Sequence, residues 1–109
     1  MTTFRNRVEL LPEMVDRIVR TFDPEQIILF GSHARGDARP DSDVDLLVIM
    51  ETDDTFEASV AVMGALSDLG VYKDIVVQTP GRVRTEANIM GTVERNALRE
   101  GKVLYERRR

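Results

Sequence analysis

The chain has 109 residues, of which 42% are hydrophobic and 31% charged, with a formal net charge of −4 and no cysteine. That length encloses one core rather than two, so a single domain over residues 1–109 is expected. The absence of cysteine removes disulfides, thiolate metal sites and thiol nucleophiles, and the negative balance leaves any nucleic-acid or membrane contact to a local basic patch.

Leu11, Met14, Val15, Ile18, Val19 and Phe22 recur at helical spacing, with Pro12 placed for a first turn and Asp23-Pro24 as the stop, which predicts an amphipathic helix. Gln26 to Phe30 is a short apolar run ending at Gly31, and Val44 to Met50 is a second run rich in branched residues; both are expected as central strands. The connection from Gly31 to Ser42 is too long for a tight hairpin and is expected to open with one helical turn at Ser32. Phe56, Val60, Met63 and Leu66 mark a second helix closed by Gly70, and Val71 to Gln78 a third strand ended by Thr79-Pro80-Gly81. From Arg82 to Glu100 the pattern is helical with a break near Gly91, and Gly101 stops it before a short apolar run, Val103 to Tyr105. The order describes an α+β fold, a small mixed β-sheet flanked by helices.

The chemistry concentrates around the second strand. Asp43 and Asp45 stand at i and i+2, so the pleat sends both side chains to one face, with Cα atoms roughly 6.6 Å apart, while Val44 points into the core. Two carboxylates so placed repel unless a cation, donors or water compensate, and Mg²⁺ suits them because it takes carboxylate oxygens and leaves positions for substrate phosphates. Asp74 interrupts the third apolar strand, where an unpaired aspartate is costly to bury; if this strand lies beside the second, the three carboxylates share one point. The plainer reading pairs Asp74 with Lys73 or an arginine at the edge of the core, or has it mark a strand end. The N–H groups of the Gly31-Ser32 bend and the turn after it can hold a phosphate, and Arg35 can add a bidentate donor, although a Gly-Ser pair after a strand is usually only a turn.

The stretch GSHARGDARPDSDVDLLV resembles the signature of the minimal nucleotidyltransferases, the smallest members of the DNA polymerase β-like nucleotidyltransferase superfamily: Gly-Ser, a ten-residue spacer, then Asp-x-Asp. The final segment, GTVERNALREGKVLYE, is similar to the way these proteins end, so the resemblance runs over essentially the whole chain. It implies a polymerase β-like fold and transfer of a nucleoside monophosphate, with Gly31 and Ser32 on the triphosphate, Arg35 helping to hold phosphate, and Asp43, Asp45 and Asp74 as catalytic residues and metal ligands. Asp74 would also accept the proton of the attacking hydroxyl. The implied cofactors are two Mg²⁺ ions, with a nucleoside triphosphate, ATP, as substrate. Proteins of this kind are commonly the antitoxin half of a pair with a small helical HEPN toxin, and some transfer AMP to a tyrosine of that partner.

Rival readings are weaker on the residues. His33 directly follows Ser32 and cannot serve it as a base without a special turn; it is read as a solvated loop histidine. Asp41, Asp43 and Asp45 imitate the start of an EF-hand loop, but Leu46 stands where its glycine belongs and Thr52 where its glutamate belongs. Arg107, Arg108 and Arg109 are read as a solvated tail rather than a nucleic-acid arm. No run approaches the roughly 18 apolar residues of a membrane span and the N-terminal stretch lacks a signal-peptide core, so a soluble, cytoplasmic protein is expected. A different class of function is neutralisation of a HEPN partner by binding alone, with apolar residues on the terminal helices as the interface. Homo- or hetero-oligomers fit either reading.

Overall fold

A computed structural model describes residues 8–39, 41–86 and 93–108 of the chain. After a 3₁₀ turn at Val8–Leu10, helix α1 runs Leu11–Phe22 with Pro12 in its first turn, where the missing N–H has no intrahelical partner to lose. Asp23 ends it in the left-handed conformation (φ 49°), its N–H bonded to Val19 O at 3.1 Å. Strand β1 (Gln26–Phe30) follows, then the one-turn helix α2 (Ser32–Arg35), strand β2 (Val44–Ile49), helix α3 (Thr55–Ala65), a 3₁₀ turn at Ser67–Leu69, and strand β3 (Lys73–Gln78). The chain closes with α4 (Pro80–Glu86), α5 (Val93–Glu100) and β4 (Lys102–Glu106). Among the described residues no helix is long and apolar enough to cross a membrane.

The four strands form one mixed sheet in the order β3-β2-β1-β4. β1 pairs antiparallel with both β2 and β4, and β2 pairs parallel with β3. β1 and β2 are central, as their aliphatic runs require, because a strand covered on both faces has no polar side to alternate with. One face carries Ile27, Leu29, Val44, Leu46, Val48, Ile75 and Val77 against α1 and α3 through Met14, Ile18, Ala58 and Val62. On the other, Ile28, Leu47 and Ile49 meet Val83 of α4 and Ala97 of α5.

Three expectations change. Val103 to Tyr105 is not a loose apolar remnant: it lies in β4, the edge strand beside β1, and the backbone of Arg107 continues the pairing with a 2.8 Å bond to Glu25 O. Arg107 is accordingly not a solvated tail, since Nη1 sits 3.1 Å from Asp23 Oδ2 and Nη2 3.7 Å from Glu25 Oε1. Thr79-Pro80-Gly81 ends β3 as expected but also opens α4, which begins at Pro80 rather than Arg82, with Thr79 Oγ1 accepting from Arg82 N at 3.3 Å. The break expected near Gly91 lies outside the described residues.

The outward face of α3 differs from expectation as well. Asp54 caps the helix by accepting from Glu57 N at 3.0 Å, and the phase this sets turns Ala58 and Val62 inward. Leu66 is buried just after the helix, whereas Phe56, Val60 and Met63 point to solvent. The segment is apolar on both sides, so periodicity alone could not choose between them. Gly70, expected to close this helix, closes the 3₁₀ turn instead, and α3 ends at Ala65 with Leu66 as its cap.

Gly101 joins α5 to β4 where the helix lies directly on β1. A Cβ there would meet Ile28 Cγ2 at 2.6 Å and Leu29 O at 2.9 Å and would collide with Ala97 O. The contacts are to backbone and core, which cannot move aside as a flexible side-chain end can. Gly101→Ala is therefore expected to destabilise the fold by about 1–3 kcal/mol, as overpacking of a core does. A thermal melt reads this, and an unchanged midpoint would show that α5 shifts freely on the sheet.

Candidate active site

Gly31 turns the chain sharply out of β1 with φ 75° and ψ −157°, a conformation that only glycine adopts without strain. Phe30, just before it, is the antiparallel register partner of Asp45. The backbone of Gly31 is thereby pressed onto the Asp45 side chain, so closely that a Cβ at position 31 would overlap the carboxylate. α2 then folds back on the bend: Ala34 N and Arg35 N both bond to Gly31 O, at 3.1 and 3.0 Å. The N–H groups of Ser32 and His33 lie in the first turn, where a helix has no acceptor of its own for them.

Across β2, Asp45 is the parallel register partner of Asp74. The ladder extends one step beyond β3 through Val44 N to Tyr72 O at 2.8 Å. Alternation along β2 places Asp43 and Asp45 on the face that Leu47 and Ile49 share, and along β3 it places Asp74 on the same face as Val76. The expected convergence of two neighbouring strands is thus present. Asp43 and Asp74 are exposed and Asp45 is half-buried. The reason expected for Asp74 changes with this: it stands at the open end of an edge strand, so it is not buried at all. Lys73 does not pair with it, since Lys73 Nζ donates to Val71 O at 3.2 Å.

Burial, then the negative charges of Asp74 and Asp43, raise the proton affinity of Asp45 above the usual aspartate range, while His33 and Arg35 oppose the rise. This is the response of a carboxylate placed among its own kind with too little positive charge nearby. Among the described residues no three His, Asp or Glu side chains close into a ready-made metal cage. The donor set nevertheless has the chemistry of a hard-cation site: oxygen ligands only, several negative charges, and an opening to solvent where a phosphate could complete the coordination.

Arg35 is half-exposed at the rim. Its Nε lies 3.4 Å from Asp37 Oδ2 and its Nη1 3.8 Å from Glu100 Oε2, so a phosphate would draw it from weak surface pairs rather than from a buried one.

His33 corrects the reading of a solvated loop residue. It is buried, at 9% exposure, and its Nε2 lies 3.0 Å from Ser42 O. A carbonyl only accepts, so Nε2 carries the proton and donates. This bond ties α2 to the residue that precedes Asp43, and it closes the long connection together with the reciprocal turn in which Arg39 N donates to Ser42 Oγ at 2.8 Å and Ser42 N to Arg39 O at 3.0 Å. The sequence signal was only its place directly after Gly-Ser, with no indication of where the ring points. His33→Leu is expected to leave Ser42 O without its partner at a cost of about 1–3 kcal/mol and to lower activity by releasing Asp43. Activity unchanged from wild type at a temperature well below the melt would show that the tether does not position Asp43.

A family model described as Polymerase beta, Nucleotidyltransferase matches residues 13–109, which includes the bend, all three carboxylates and β4. The chain belongs to this family. It is a nucleotidyltransferase, and its mixed four-stranded sheet is the nucleotidyltransferase fold. It is 35% identical over 81 residues to a protein of Methanocaldococcus jannaschii named "putative protein adenylyltransferase", with 74% of this chain and 78% of that protein covered. A crystal structure titled as a "putative nucleotidyltransferase" from Sulfolobus solfataricus superposes with a TM-score of 0.64 at 22% identity, covering 91% of this chain and 79% of the other. A structure titled as a toxin-antitoxin with AMP-PNP matches with a TM-score of 0.56 at 22% identity, over 91% of this chain and 76% of that one. These two likenesses establish the fold of the nucleotidyltransferase.

Proposed function

We propose that this nucleotidyltransferase moves AMP from ATP to a hydroxyl acceptor, a tyrosine of a HEPN toxin partner, with pyrophosphate as the leaving group, and so acts as the antitoxin of the pair, within one domain in the cytoplasm. The observation that carries the catalytic part is the register: Asp45 opposite Asp74, with the Gly31 bend pressed against Asp45 on the other side. The adenylyl group and the toxin partner are supported by what similar proteins are called, a protein adenylyltransferase in one case and a toxin-antitoxin structure holding AMP-PNP in the other.

In this reading Gly31 and Ser32 hold the triphosphate through backbone N–H groups, and Arg35 swings from its surface pairs to add a planar donor. Asp43, Asp45 and Asp74 would hold two Mg²⁺ ions, which supply neutralisation of charge on the phosphates and a lowered pKa at the acceptor hydroxyl. Asp74, exposed on the edge strand, is the carboxylate that an incoming acceptor reaches first, and it takes the hydroxyl proton. The Gly31 bend fixes Asp45 relative to the phosphates, so that the reacting atoms meet in one orientation.

The test is incubation of the protein with ATP labelled on the α-phosphate, Mg²⁺ and a HEPN protein encoded beside it. Label on a tyrosine of the HEPN protein, lost in Asp43→Ala and Asp45→Ala, is the expected result. Neutralisation of the toxin that survives both substitutions would instead establish the alternative, a subunit that acts by complex formation alone.

A further inference from the structure

The outward face of α3 is built unlike the rest of the surface. Phe56, Val60 and Met63, at i, i+4 and i+7, form one stripe and are 76%, 54% and 37% exposed. A concavity of about 300 Å³ lies at the N-terminal end of the helix on another face, lined by Thr52, Asp53, Asp54, Glu57, Ala58 and Ala61. Three large apolar side chains in a row on a helix whose inner face is already buried mark a contact surface rather than scattered exposure.

The charges around the stripe identify what covers it. From Glu51 to Tyr72 the chain contains Glu51, Asp53, Asp54, Glu57 and Asp68, and not one lysine, arginine or histidine. Asp68 is engaged by Arg17 of α1, whose Nη2 lies 3.2 Å from Asp68 Oδ2. The acidic residues at the N-terminal end of the stripe are exposed, and Asp54 uses one oxygen to cap the helix. A second copy would bring the same acidic rim against this one, like charge facing like, so the occupant carries the opposite charge.

We infer that α3 is the docking site for an amphipathic helix of a different protein, one that carries an apolar stripe flanked by lysine and arginine. Its leucine-type side chains would lie along Phe56, Val60 and Met63, and its cations would meet Asp53, Asp54 and Glu57. The site stands apart from the chemistry, because α3 follows the C-terminal end of β2 whereas Asp43 and Asp45 are at its N-terminal end. A partner held there leaves the carboxylates open to an acceptor.

The experiment uses two synthetic 20-residue helical peptides with the same leucine stripe, one flanked by lysine and arginine and the other by glutamate, titrated calorimetrically into the whole protein. The basic peptide is expected to bind at least tenfold more tightly than the acidic one, to weaken as salt is raised, and to lose at least tenfold in affinity against Phe56→Ser/Val60→Ser. Both residues are exposed, so the double variant should keep the wild-type melting temperature and ATP affinity, which separates failure of this site from failure of the transferase reading. Equal binding of the two peptides, no binding of either, or a dimer of the protein alone that the double variant dissolves in sedimentation would each overturn the assignment.

Discussion

Asp45→Asn is expected to reduce nucleotidyl transfer by about 10²–10³-fold while leaving the folded protein as stable as wild type or more so at neutral pH. On the proposed reading, the loss follows from removing a carboxylate that would hold the Mg²⁺ neutralising the phosphates, worth several kcal/mol of barrier. The retained stability follows from the raised proton affinity of Asp45, whose causes are burial and the charges of Asp74 and Asp43. A carboxyl raised in the folded state binds its proton more tightly folded than unfolded. Its favourable contribution is complete below the ordinary aspartate range and disappears as pH rises through the folded value, so at neutral pH the ionised side chain is a burden that asparagine removes. Melts of both proteins across pH should converge in acid and separate, with the variant equal or higher, toward neutrality. In the wild type the acid limb of the rate should lie above the usual aspartate range when Mg²⁺ is scarce and move to lower pH as Mg²⁺ rises, since cation and proton compete for the same oxygens. A variant that is less stable at neutral pH would show that Asp45 holds the fold together rather than waiting for a cation.

Gly31→Ala is expected to do damage of two kinds at once. A φ of 75° with ψ near −157° is strained for any residue with a side chain, by about 1–3 kcal/mol. The added methyl would also occupy the place of the Asp45 carboxylate, which must turn away or push the bend off the sheet. Either response separates the turn proposed to hold the phosphates from the acid that faces it, and transfer should fall at least as far as in Asp45→Asn. Gly36, which also has a positive φ but has open space where a Cβ would point, is the control: Gly36→Ala bears the backbone strain without the collision. If the two alanine variants lost stability and activity equally, the contact between residue 31 and Asp45 would have no role in catalysis.

Much of this protein was legible in the chain itself. The helix Leu11–Phe22 and the strand Gln26–Phe30 are found where periodicity and the stops at Asp23-Pro24 and Gly31 placed them. Spacing along a strand is enough to put Asp43 and Asp45 on one face, because alternation is a property of the local backbone. The combination of Gly-Ser, a ten-residue spacer and Asp-x-Asp pointed to the family that the family match then established. All of these depend on neighbours within a few residues.

Four features were decided only when distant segments met. That β3 runs parallel beside β2, with Asp74 opposite Asp45, depends on the crossover through α3; on its own, Asp74 could also be read as an ion-pair partner or a strand-end residue. His33 is a buried tether because the connection returns Ser42 O to its ring, a contact between residues nine apart that no pattern encodes. Val103 to Tyr105 became a strand because β1 offered a free edge, with Arg107 held by Asp23 and Glu25 from the other end of the chain. α3 carries apolar residues all round, and the side that faces the sheet was settled by packing, where the small Ala58 and Val62 permit close approach and Phe56 does not. Local chemistry sets which elements form and which side chains share a strand face; the pairing of strands and the choice of buried surface belong to the whole molecule, because each is a competition among segments far apart in sequence for the same partner.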